Sequence, residues 1–146
     1  MIKESYSYIA IGNKTLYYFE SEGKHGTIPK AIIFTLYENN LWNLAFGDWH
    51  DGDIDDVIIS NNYDIVKIIG TIANVVYDFS AKYPARHIYI QPVDEKRKKL
   101  YNHVFRRNYE VIITTFQIIG VVEGTYEDYL PKKSYDKFKL IRKFVK

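Results

Sequence analysis

The pattern of apolar and polar positions changes period near residue 61. Before that point apolar residues alternate with polar ones or run in short β-branched and aromatic stretches, the signature of strands. Residues 5–11 read as a first strand, Gly12-Asn13 as a turn and residues 16–20 as the returning strand. Residues 23–29 read as a loop. Residues 31–37 form a third strand, Asn39-Asn40 a tight turn and residues 42–46 a fourth strand. Asp51-Gly52 is a strong hairpin signal, and a fifth strand follows over 54–60.

Beyond residue 61 the period becomes helical. Ile65, Ile68, Ile69, Ile72, Val75, Val76 and Phe79 share one side of a helix. Asn61 or Asn62 caps it, Asp64 suits its positive end, and Pro84 stops it. Ile and Val are mediocre helix formers, so this helix draws its stability from burying its apolar side. Residues 87–90 make a short strand. Residues 94–107 make a second helix with Leu100, Val104 and, as a further candidate, Phe105 facing inward. Residues 111–122 read as a long strand that Gly120 bends, and Gly124 as a turn. Residues 126–130 carry no clear signal. In the tail, Tyr135, Phe138, Ile141 and Val145 have helical spacing while Phe138 and Leu140 alternate as in a strand, and both assignments stand.

The order βββββαβαβ predicts an α+β fold. Its sheet is mixed, mostly antiparallel and twisted, of about 6–8 strands, and two main helices cover it. The only parallel crossover falls within residues 54–122. No repeat or linker breaks the 146 residues, which read as one domain ending in a basic segment over 131–146.

Composition narrows the chemistry. With no cysteine there are no disulfides, thiolate nucleophiles or Cys-based zinc sites. No apolar leader or run of membrane-spanning length occurs, which predicts a soluble, cytoplasmic protein. Fourteen tyrosines suggest base stacking, but 20 Ile against 6 Ala and 15 Lys against 5 Arg point to an A- and T-rich coding sequence that inflates Tyr with the others.

Net charge is +2, unevenly spread. Residues 131–146 carry seven Lys and Arg against Asp136 alone, a net +6, which leaves −4 on the rest.

Three clusters could carry function. Asp48, Asp51, Asp53, Asp55 and Asp56 form an acidic hairpin whose spacing fails the EF-hand pattern, so no metal site is assigned. The glycine loop Gly23-Lys24-His25-Gly26 precedes a strand, whereas a phosphate cradle opens a helix. The helix over 94–107 is basic through Lys96, Arg97, Lys98, Lys99, Arg106 and Arg107, with Tyr101 and His103 alongside. No nucleophile elbow, Walker loop or zinc-protease motif is present, and no catalytic residue is assigned.

The run Asn43-Leu44-Ala45-Phe46-Gly47-Asp48, then Gly52-Asp53-Ile54-Asp55-Asp56, Ser60-Asn61-Asn62 and Arg97-Lys98-Lys99-Leu100-Tyr101, resembles a family of small bacterial proteins common in Bacteroidetes. Some of its members look like parts of two-gene, toxin–antitoxin-like cassettes. The architecture also resembles the GNAT acetyltransferases, with Arg97 to Tyr101 similar to their R-x-x-L-Y helix start. Those enzymes hold the pyrophosphate of acyl-CoA on a basic, glycine-rich loop. Here that place holds Ser60-Asn61-Asn62-Tyr63-Asp64, with an acid and no glycine.

The expectation is therefore a non-metabolic interaction protein without a cofactor, the toxin-like component of such a cassette. It would meet a protein partner through Asp48, Asp53, Asp55, Asn61, Asn62, Arg97, Lys98, Tyr101, Arg106 and Arg107. The alternatives are a GNAT-like acyltransferase with a degenerate cofactor loop, and nucleic-acid binding through the basic helix and tail.

Overall fold

The structure, a computed structural model, describes residues 2–13, 15–50, 53–55 and 62–144. They form two compact units, Met1–Thr35 with Ala45–Lys82, and Leu36–Leu44 with Tyr83–Lys146.

Strands β1 (Ile9–Ile11), β2 (Leu16–Gly23), β3 (Gly26–Glu38) and β4 (Leu41–His50) are sequential neighbours, and β5 (Asp53–Asp55) pairs with β4. Of these, β1, β2, β5, residues 26–35 of β3 and residues 45–50 of β4 belong to the first unit. The register Tyr17↔Ile32 and Phe19↔Lys30 puts these residues, with Phe34 two positions on, on one face. That face is buried. Helix α1 (Ile65–Lys82) covers it, Phe79 stacking on Phe34. Of the side that the period predicts, Ile68, Val75, Val76 and Phe79 are buried, together with Thr71 and Asn74, while Ile65 at the head of the helix is exposed and Ile69 and Ile72 are half-buried.

Strand β1 is shorter than the alternation suggests. The Tyr6 N–H donates to Thr71 Oγ1 at 2.7 Å, and Asn74 holds Ile2 through both its N–H and C=O. Residues 2–8 therefore run along α1, because these two buried helix polar groups satisfy their backbone in place of a neighbouring strand. The loop expected over 23–29 is a two-residue turn, since Gly23 already pairs with Gly26. Asp51, Gly52 and residues 56–61 lie outside the described residues, so Asp56, most of the predicted fifth strand and the Asn61 cap do too.

In the second unit Leu41–Asn43 of β4 runs parallel to β6 (His87–Ile90). Strand β9 (Lys137–Arg142) lies antiparallel between β6 and β7 (Phe116–Val122), and β8 (Thr125–Asp128) closes a hairpin with β7. The hairpin turn is Glu123-Gly124, both at positive φ, the type I′ preference. The tail is thus a strand. Phe138 and Leu140 are buried between two neighbours, which decides it against the helical spacing. Phe105 of α2 (Glu95–Arg107) stacks on Phe138 and brings the helix onto the sheet.

The long strand predicted over 111–122 divides. Tyr109–Ile112 is a single helical turn, α3, and extended chain begins at Phe116. Asn108 Nδ2 closes α2 on the Val104 carbonyl, and Thr114 Oγ1 donates to the Val111 carbonyl. With these local bonds made, the β-branched residues 111–113 have no strand to pair with until Phe116 meets Arg142. Gly120 does not bend β7. It pairs with Glu127 and Phe138, and the ring of Tyr135 lies where its side chain would be. The architecture is the predicted α+β fold with a mixed, mostly antiparallel sheet and two long helices, plus α3. Among the described residues no helix is long and apolar enough to cross a membrane.

Candidate functional site

Helix α2 starts at Asp94, whose carboxylate accepts from the Arg97 N–H at 2.8 Å, the expected cap. Its buried residues are Asn102 and Phe105. Asn102 is a bridge: Nδ2 donates to the Tyr135 carbonyl and Oδ1 accepts the Tyr135 N–H, both at 2.8 Å. This pair fixes the rotation of the helix, since residues 98, 101, 102 and 105 share one side.

That rotation redistributes the basic residues expected to act together. Lys98 Nζ lies 2.6 Å from Asp136 Oδ1. The Lys98 ammonium and the Glu123 N–H hold the Asp136 carboxyl below the usual range. Arg97 pairs with Asp94 at 3.3 Å. Arg106 Nε donates to the Pro131 carbonyl at 2.9 Å. Tyr101 is half-buried, and burial raises its phenol while Arg97 opposes the shift. Three of the five candidates on this helix are therefore bonded within the fold, and a fourth, Tyr101, is half-buried.

The opposite side carries Lys96, Lys99, His103 and Arg107, all exposed. Steps of three, four and four residues put them on one face about 16 Å long. None of their side chains has a hydrogen-bond or ion-pair partner among the described residues. Arg107 is the one predicted site residue in this row. The others were legible in the period, had it been phased on Phe105 alone and not also on Leu100 and Val104, which are only half-buried. A polar Asn102 on the inner side hides that phase.

The acidic hairpin comes apart as a surface. Asp48 is in the core, 1% exposed, with its Oδ1 2.6 Å from Nζ of the fully buried Lys30. It lies on the same face as Phe19 and Phe46, so this acid neutralises a lysine inside the first unit rather than meeting a partner. Asp53 and Asp55 pair through their backbone with His50 and Asp48, and their side chains lie outside the described residues. No metal-binding group of acids and histidines occurs among the described residues.

At the head of α1 the structure corrects the predicted cap. Asn62 is buried and closes the β2–β3 turn instead: Oδ1 accepts the His25 N–H at 2.6 Å, Nδ2 donates to the Gly26 carbonyl at 2.8 Å, and its carbonyl accepts the Lys24 N–H. Asp64 Oδ2 accepts from Ser21 Oγ at 2.6 Å and from the Tyr6 hydroxyl at 2.5 Å. The glycine loop is thereby bound to the residues before α1. A Cβ at Gly23 would stand 2.0 Å from the Asn62 carbonyl oxygen. The glycine loop and the segment before α1 fill each other's space.

Residues 2–143 match the model of a family of unknown function, DUF6934. The chain belongs to that family. Since the match covers nearly all of the described residues, both units are part of what defines DUF6934. No curated protein and no solved structure matches the chain.

Proposed function

We propose that this DUF6934 protein acts by binding rather than by catalysis, and that the outer face of α2 docks an acidic segment of a partner protein. The observation that carries the reading is the row Lys96, Lys99, His103 and Arg107, exposed and without internal partners beside basic neighbours that have them. Aligned cations on a rigid helix steer an anionic partner and fix its register, although each exposed pair contributes at most about 1 kcal/mol. A protein partner is favoured over nucleic acid on two grounds. The chain's net charge is only +2 with a pI near 8.6, and both aromatic residues of the helix, Tyr101 and Phe105, are turned inward instead of being offered to a base. The acyltransferase alternative gains no support at the head of α1, where Asn62, Gly23 and the Asp64 carboxylate occupy the place of a diphosphate. The resemblance to cassette proteins makes the product of an adjacent gene the first partner to test, with this chain in the toxin-like position.

The test places a photo-reactive residue at position 103 of the full chain, co-expressed with that gene product. Crosslinking to an Asp- and Glu-rich peptide is expected, and its yield should fall in a variant with Lys96→Gln, Lys99→Gln and Arg107→Gln. Crosslinks to nucleic acid, or a yield indifferent to the three substitutions, would overturn the reading.

A further inference from the structure

The second unit contains a cavity of about 300 Å³ that the α2 face does not use. It opens between α3, the start of β7 and the end of β8. This volume is at the small end of the range for sites that hold small molecules. Its floor is apolar and aromatic: Phe116 and Ile118 from β7, and the rings of Tyr109 and Tyr129, stacked with centroids 5.8 Å apart. Tyr129 is only 5% exposed, and its hydroxyl is a buried polar atom with no partner in the fold. Leaving such a group unsatisfied is costly, and a ligand acceptor would relieve it. Burial raises its phenol pKa, so the hydroxyl stays a neutral donor.

Two opposite charges line the same cavity. Asp128 Oδ1 accepts from Gln117 Nε2 at 3.2 Å, and Lys143 Nζ donates to the Ile113 carbonyl. Each is anchored to its own neighbour, and the two form no ion pair with each other. Each also keeps capacity in reserve, a second carboxylate oxygen on Asp128 and two further N–H groups on Lys143. By the strand register Asp128, Gln117 and Lys143 stand on one face of β7 and Phe116, Ile118 and Tyr129 on the other, and they meet at the edge of β7 beyond the end of β8. The cavity therefore offers a carboxylate and an ammonium beside aromatic residues and matches a ligand that carries the reverse pair next to an apolar group.

We propose that this cavity binds a free α-amino acid with an aromatic or branched apolar side chain. Its ammonium pairs with Asp128, its carboxylate with Lys143, and its side chain packs on Phe116 and Tyr129. The carboxylate also offers an acceptor to the Tyr129 hydroxyl.

The experiment is saturation-transfer NMR on the full chain with L-phenylalanine, N-acetyl-L-phenylalanine and L-phenylalaninamide, each titrated to about 10 mM, well above a millimolar Kd. L-Phenylalanine is expected to bind, with each blocked form weakened about tenfold, equivalent to about 1.4 kcal/mol. Asp128→Asn should weaken the free amino acid about as much while leaving the acetylated form unchanged, and Lys143→Met should do the same relative to the amide. These comparisons are internal to one folded protein, so a loss of stability cannot imitate them. The absence of transfer from L-phenylalanine, or equal affinity for the free and blocked forms, would sink the proposal.

Discussion

A methyl group at Gly120 would lie 2.3 Å from the ring of Tyr135, a side chain buried beneath β7 and bonded through its hydroxyl to Glu127 at 2.9 Å. The ring cannot retreat without breaking that bond and the Asn102 bridge to its backbone. Gly120→Ala should therefore destabilise the protein by about 1–3 kcal/mol, the cost of overpacking a closed core, seen as a lower urea midpoint at unchanged slope. Asn62 is the counterpart in the first unit. Asn62→Ala leaves the His25 N–H and the Gly26 carbonyl without their partner and should cost a comparable amount by thermal denaturation. Neither role was legible in the sequence. A glycine inside an apolar run reads as a bend, and an asparagine before a helix reads as its cap, because sequence spacing shows neighbours along the chain and not the ring or turn that arrives from elsewhere.

Among the elements, periodicity identified those that bury a continuous side against one neighbour. Helix α1 and strands β2 to β4 and β6 are of this kind, and their apolar spacing survives into the structure. Elements whose backbone is satisfied by side chains escaped it. Residues 2–8 follow Thr71 and Asn74, and α3 is closed by Asn108 and Thr114. For α2 the element was legible and its rotation was not, so the face proposed for binding is Lys96, Lys99, His103 and Arg107 rather than Arg97, Lys98 and Arg106. The two faces are separable by experiment. Asp94→Ala removes the cap and should cost about 1 kcal/mol of stability. Lys96→Gln with Lys99→Gln should leave the melting temperature within about a degree, since neither side chain has a partner to lose.

For the molecule as a whole the charge distribution sets a response to acid. Burial, aided by Lys139, lowers the His87 pKa, so the fold favours the neutral imidazole. Lys98 and the Glu123 N–H lower Asp136, and Lys133 with the Tyr135 hydroxyl lowers Glu127. All three groups bind protons less readily folded than unfolded. Each therefore contributes stability above its unfolded pKa and loses it as pH falls through the folded value. Stability should decline in two stages. The first starts near pH 6.5, where an unfolded histidine titrates, and the second near pH 4, where unfolded carboxylates do. Chemical denaturation across pH reads both. His87→Gln should flatten the first stage alone, and Lys98→Met should flatten the second. A single acid transition unaffected by His87→Gln would contradict the histidine assignment. The exposed tip of the β2–β3 hairpin carries one more consequence. The amides of Lys24 and His25 sit on a turn open to water, where isotope labelling is ordinarily immediate, yet both are held by Asn62. Their deuterium uptake is gated by detachment of the chain preceding α1, which makes two surface amides a clock for how often that segment lets go.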